Sequence, residues 1–152
     1  MSTVAMPLSP SLRPKAPLIS SLFLVDAAKV GFADRVLIMG RNVLEQVMAL
    51  AHSGCRSLTS LRADASYPKD EPVDVLWFSG IDDVKTRLMS ALSGTNVPRI
   101  IVIEINGAET DGRLRPVVSQ LRAQGFARFT LHRTLQGVAV MAARPVWLQQ
   151  VI

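Results

Sequence analysis

Three short apolar runs constrain this chain more than anything else in it: VLIM at 36–39, VDVLWF at 73–78 and RIIVIEI at 99–105. A strand with one wet face alternates polar and apolar residues, whereas a run apolar at nearly every position needs cover on both faces. Helices provide such cover, and the intervals between the runs have helical patterning. Residues 43–52 put Val43, Val47 and Leu50 on one side, with Asn42 as the expected N-cap and Gly54 as the stop. Asp82 and Asp83 open a second segment running to about Leu92, where acids suit the positive end of a helix. A third spans 113–124 and is stopped by Gly125. Parallel strands need right-handed crossovers of helical size, so this alternation predicts a mostly parallel sheet between two helical layers.

The ends of the chain break that rhythm. Residues 1–17 carry prolines at 7, 10, 14 and 17 and are expected to form a disordered tail, because proline at that density blocks helix and ladder hydrogen bonds. Residues 18–30 have helical spacing, with Ser20 or Ser21 as cap and Gly31 as stop. A short strand, SLTSL at 57–61, precedes a polar loop at 62–72 that holds two prolines. Residues 127–133 and 137–143 read as strands joined too closely for a helix, hence an antiparallel pair. The expected organisation is a tail at 1–17, one α/β domain at 18–145 and an apolar C-terminal tail, VWLQQVI, at 146–152. That last segment suggests an interface with a second copy or a partner.

Composition narrows the functional classes. At 152 residues, 49% hydrophobic and 19% charged, the chain can bury one domain's core. A mean hydropathy of +0.28 raises the question of membranes. No apolar run approaches the roughly 18 residues of a span, and the N-terminus lacks the layout of a secretion signal. A soluble, cytoplasmic protein is expected. The single cysteine, Cys55, excludes an internal disulfide, and two histidines with scattered acids show no metal-ligand spacing. The phosphate loop of P-loop nucleotidases, the dinucleotide fingerprint and the serine elbow are all absent. His52 and Cys55 are close in sequence, but such a pair at a helix end is far more often incidental than nucleophilic. Charge is lopsided. Six arginines and no acid lie from Arg113 onward, leaving eleven basic against twelve acidic residues before it.

Four stretches together carry a resemblance: VLIMG at 36–40, ADASYP at 63–68, VDVLWF at 73–78, and LRAQGFARFTLHRTLQGVAVMAARP at 121–145. They resemble class I S-adenosylmethionine-dependent methyltransferases, in which an alternating parallel sheet closes with an antiparallel hairpin. The resemblance spans about residues 18–145. It implies an α/β, Rossmann-like three-layer sandwich with a mostly parallel sheet and a C-terminal antiparallel hairpin. It also implies S-adenosylmethionine as cofactor, held around Gly40, Asn42, Asp64 and Asp82, with no metal.

The match is uneven at the cofactor loop. Gly40 stands where the first loop glycine belongs, but Asn42 and Leu44 occupy the next two alternating places, and Ile38 replaces an expected acid. A leucine there either fills the pocket or redirects the backbone. The ribose-binding acid expected at the end of the second strand is replaced by Leu61-Arg62. Asp64-Ala65 resembles the acid-small pair that contacts adenine in relatives, but comes too soon, as if about 25 residues (one helix and one strand) were missing. Asp74 reads as a structural hydrogen-bonding group, and Glu104, ending a parallel strand, as a residue at the edge where such sheets place their sites. No catalytic residue stands out.

Three functions follow as expectations. The first is a methyltransferase-like domain that acts without catalysis, as a binding or accessory subunit for a protein partner or within a homo-oligomer. The second is an active methyltransferase of unknown substrate. The third is a binder of nucleic acid or an acidic partner through Arg113, Arg115 and Arg122.

Overall fold

The computed structural model describes residues 20–94, 97–107, 110–134 and 137–145. The expected tails at 1–17 and 146–152 lie outside the described residues. The elements run α1 (Ser21–Ala27), β1 (Arg35–Gly40), α2 (Leu44–His52), β2 (Ser57–Leu61), β3 (Val75–Ser79), α3 (Val84–Leu92), β4 (Ile100–Asn106), α4 (Thr110–Ala123), β5 (Arg128–Arg133) and β6 (Gly137–Ala143). The six strands form one sheet in the order β2-β1-β3-β4-β6-β5. The first four pair in parallel. β6 runs antiparallel to both β4 and β5. This is the α/β, Rossmann-like architecture that the sequence pattern implies.

Strand side chains alternate between faces, and here both faces are dry. Leu37, Met39, Leu76, Phe78, Ile101 and Ile103 pack with Leu88, Leu92, Val117 and Leu121 of α3 and α4. Val36, Ile38, Val75, Trp77 and Val102 pack with Leu24, Val25, Ala49 and Leu50 of α1 and α2. Cover on both sides is why the central strands read as continuous apolar runs. Pro116 lies inside α4, where the missing N–H removes one helical hydrogen bond.

The lower, N-terminal edge of the sheet is stapled by polar groups. Asp74, just before β3, accepts from the Arg35 N–H through Oδ2 at 2.8 Å. Its own N–H donates to the Arg35 carbonyl at 2.8 Å, and its carbonyl accepts from Arg99 and Ile100. One aspartate thus holds three strands in register. Arg99 also forms an ion pair with Asp34, ahead of β1.

Local boundaries differ from expectation where backbone geometry wins over residue type. Ser20 is the cap of α1, accepting from the Phe23 N–H. The helix then ends at Ala27, with Lys29 rather than Gly31 in the left-handed region at φ 55°. Asn42 is not the cap of α2: Val43 holds that place without a side-chain bond, and Asn42 sits at φ 53°. β3 starts at Val75, two residues later than its apolar run, because Val73 and Asp74 serve the crossing from the loop. Gly137 is required where β6 meets β4, since a Cβ there would lie 1.9 Å from the Ile105 carbonyl oxygen.

Candidate functional site

The strand order reverses between β1 and β3, because β2 lies to one side of β1 and the chain then crosses to the other. Loops diverge at such a point and leave a crevice at the C-terminal ends of the strands. A cleft of about 550 Å³ occupies it, lined by Gly40, Arg41, Arg62, Ala63, Asp64, Ile81, Asp82, Asp83 and Arg87. That volume is within the range of small-molecule sites. A neighbouring polar cavity of about 340 Å³ shares Arg41 and Asp82 and extends over Asn42, Ser79, Glu104, Asn106 and Arg113.

The tertiary structure therefore brings Gly40, Asp64 and Asp82 to one cleft and Asn42 to the cavity beside it. Leu44 does not fill the cleft. It is 70% exposed at the start of α2 and lines neither cavity. Asn42 takes up the backbone bend that a glycine would otherwise make, as asparagine tolerates the left-handed region better than most residues. Gly40 has a reason of its own. Its φ is 155°, and a Cβ would lie 1.6 Å from the Ser79 carbonyl oxygen, which accepts from the Arg41 N–H at 3.1 Å. The close approach that demands this glycine is that of β1 to β3.

Charge, not volume, sets the character of the cleft. It contains three arginines and three aspartates, and each aspartate has an arginine beside it. Arg41 bonds Asp82 at 2.7 Å, Arg62 bonds Asp64 at 3.0 Å, and Arg87 Nε lies 3.6 Å from Asp83. The hydrogen bond from Arg62, followed by its charge, holds the exposed Asp64 carboxyl below the usual range. Arg87 also donates to the Ala65 carbonyl at 2.6 Å, tying the 62–72 loop to α3. That loop replaces a crossover helix, and β2 is the edge of the sheet.

A second cluster lies beneath the polar cavity. Glu104 Oε2 accepts from Trp77 Nε1 at 2.6 Å and from Gln46 Nε2 at 2.9 Å, and Gln46 Nε2 also reaches Ser79 Oγ at 3.2 Å. Burial pushes the Glu104 carboxyl above its ordinary value, while the bonds from Gln46 and Trp77 oppose the shift. Gln46 and Ser79 were not singled out from sequence. The available signal was a glutamine one turn before Leu50 on the inward side of α2, together with an acid inside the apolar run of β4.

The three arginines expected at a partner surface are not brought together. Arg113 donates to the carbonyls of Asn106 and Ile81 at the polar cavity. At about 100° per residue, Arg115 and Arg122 share the opposite side of α4. Arg122 lies 5.2 Å from the Phe129 ring centroid. The Cys55 thiol faces the Ser57 and Asp34 carbonyls, and burial raises its pKa, the opposite of what a nucleophile needs. Among the described residues, no group of His, Cys, Asp and Glu gathers as a metal site, and no helix is long and apolar enough to cross a membrane.

Comparison with solved structures matches this topology. A release factor-specific protein-(glutamine-N5) methyltransferase from Alicyclobacillus acidocaldarius aligns with a TM-score of 0.50 at 15% identity, covering 92% of this chain and 100% of that one. The chain has a class I methyltransferase fold. A dimethyladenosine transferase from Plasmodium falciparum aligns at a TM-score of 0.49 and 12% identity, over 87% of this chain and 62% of that one. Human methyltransferase 10 domain containing protein gives 0.45 and 13%, over 88% and 84%. No family model matches the sequence, and no curated protein does.

Such a fold implies S-adenosylmethionine, and the cleft is where its nucleoside would lie. In that cleft Asp64, Asp82 and Asp83 would be the acceptors for ribose hydroxyls, and each has an arginine beside it with which a bound nucleoside would compete.

Proposed function

We propose that this methyltransferase-fold domain acts without catalysis, as a binding or accessory subunit for a protein partner. The observation that carries the reading is the internal neutrality of the cleft: three carboxylates, three guanidiniums and no surplus of negative charge. A cationic methyl donor would be favoured by carboxylates with no cation beside them, since a nearby opposite charge stabilises a charged group. Here each carboxylate already has an arginine beside it. The one loop glycine retained, Gly40, is explained by β1 meeting β3.

A second reading, an active methyltransferase, is favoured by the open volume of the cleft and by the outward position of Leu44. Exposed ion pairs are weak enough for a ligand to displace. Calorimetric titration with S-adenosylmethionine and with S-adenosylhomocysteine separates the two. No heat up to millimolar ligand is the expected result. Binding at micromolar strength overturns the accessory reading in favour of the enzyme.

A further inference from the structure

The hydrogen bonds beneath the polar cavity leave a remainder. The N–H donors of the cluster are spent: Trp77 gives its one to Glu104 Oε2, and Gln46 gives its two to Glu104 Oε2 and Ser79 Oγ. The acceptors are not. Glu104 Oε1 has no hydrogen-bond partner among the described residues, and Gln46 Oε1 is buried without one. Gln46 is only 6% exposed, where an unmet acceptor is costly. Nor does a cation stand beside Glu104. None of the ion pairs among the described residues includes it, and the charge that bears on it is a second acid, Glu45. A carboxyl is more than this cluster needs for its own sake, since a glutamine carbonyl would accept both N–H bonds without the cost of burying a charge.

We propose that the polar cavity above Glu104 binds a short-chain zwitterion, with its primary ammonium seated on Glu104 and its carboxylate toward Arg113. A primary ammonium carries three donors and no acceptor, the complement of a floor with acceptors to spare. The rim has the opposite character. Glu104 is half-buried, whereas Arg113, on the same cavity wall, is exposed. Arg113 donates to the carbonyls of Asn106 and Ile81, which fix its position without cancelling its charge. No ion pair joins it to Glu104. The other charged residues of the lining, Arg41 and Asp82, already neutralise each other at 2.7 Å. One carboxyl on the floor and one guanidinium at the rim are therefore left to a ligand that has its own two charges at opposite ends. The volume, about 340 Å³, is at the small end of ligand sites and suits a chain of a few carbons. The inference goes beyond the accessory reading and does not rest on it.

The test titrates the full chain by calorimetry with β-alanine, 4-aminobutanoate and 6-aminohexanoate, and with butylamine and butanoate as single-charge controls. The best of the three zwitterions is expected to bind about ten-fold or more tightly than either control, as charge-assisted bonds at both ends require. Trp77 reports the location: in a Trp147→Phe background it is the sole tryptophan, and its fluorescence should change on binding because its N–H shares Glu104. Glu104→Gln keeps the shape and the acceptor for Trp77 but should lose about ten-fold or more in affinity, with circular dichroism confirming the fold. Arg113→Gln, at an exposed position, should weaken the zwitterion and leave butylamine unchanged. No binding at millimolar concentration, equal binding of butanoate, or undiminished binding to Glu104→Gln overturns the proposal. So does methionine binding as tightly as the best zwitterion, which would give the cavity to the amino-acid end of a methyl donor. Because these ligands lack a nucleoside, a failure here and a failure of the accessory reading in the S-adenosylmethionine titration remain distinct.

Discussion

If Gly40 is present for the sheet and not for a ligand, then Gly40→Ala must damage the fold itself. The added methyl would sit 1.6 Å from the Ser79 carbonyl oxygen and 2.7 Å from its carbon. Both are backbone atoms of β3, so no side chain can swing aside. Relief requires the ends of β1 and β3 to separate, which breaks the Arg41 N–H bond to Ser79. Forced overpacking costs about 1–3 kcal/mol, and the lost hydrogen bond about 1 kcal/mol. The sum, roughly 2–4 kcal/mol, is a large share of the 5–15 kcal/mol that holds a typical domain. For a chain of this size it corresponds to a fall in Tm of about 5–15 °C. Gly112→Ala is the control: nothing lies within 4 Å of its added Cβ, and alanine inside α4 should stabilise by about 0.5–1 kcal/mol. Urea unfolding followed by circular dichroism gives both values. An unchanged midpoint for Gly40→Ala would refute the steric reasoning and return the glycine to a ligand-binding role.

Further expectations concern the polar groups. Asp74→Ala removes the acceptor for the Arg35 N–H and should cost about 1.5–3 kcal/mol in urea unfolding; a loss under 0.5 kcal/mol would deny the staple. Glu104 has its folded pKa raised by burial, so the folded state holds a proton that the unfolded state has released. Its stabilising contribution is complete below the ordinary glutamate pKa and is lost as pH rises through the raised value. Glu104→Gln should therefore flatten the fall in Tm across that window, and an identical pH profile would contradict the assignment. Arg41→Ala breaks an exposed ion pair with Asp82 and should leave stability within about 1 kcal/mol of the parent. A larger loss in thermal melts would mean that the pair supports the loops and does not merely neutralise the cleft.

Much of the fold was legible because its cause is local. β2 and β6 fall at the expected residues, since the spacing of the surrounding turns sets them. Helix ends were less legible. Whether Gly31 or Lys29 turns the chain after α1, and whether Asn42 caps α2 or bends before it, depends on where the next strand must enter the sheet. The site was readable only in part. Gly40, Asp64 and Asp82 were named as a group; two of the three acid–arginine pairs, Arg62–Asp64 and Asp83–Arg87, are close in sequence, but nothing local predicts the third. Arg62 and Asp64 are two residues apart, whereas Arg41 and Asp82 are forty-one apart.

The sequence alone determined the class of architecture: apolar strand runs separated by segments of helical patterning are buried between two helical layers. It also determined that the run of glycines expected of a cofactor loop is missing, because composition at adjacent positions needs no folding to be read. Only the tertiary structure decided what surrounds that loop. Crossing from β2 over β1 to β3 closes three loops around one crevice, turns Leu44 to solvent, and sets Asp82 against Arg41. Those are distances between residues far apart in the chain, and electrostatics depends on distance in space, not on order in sequence.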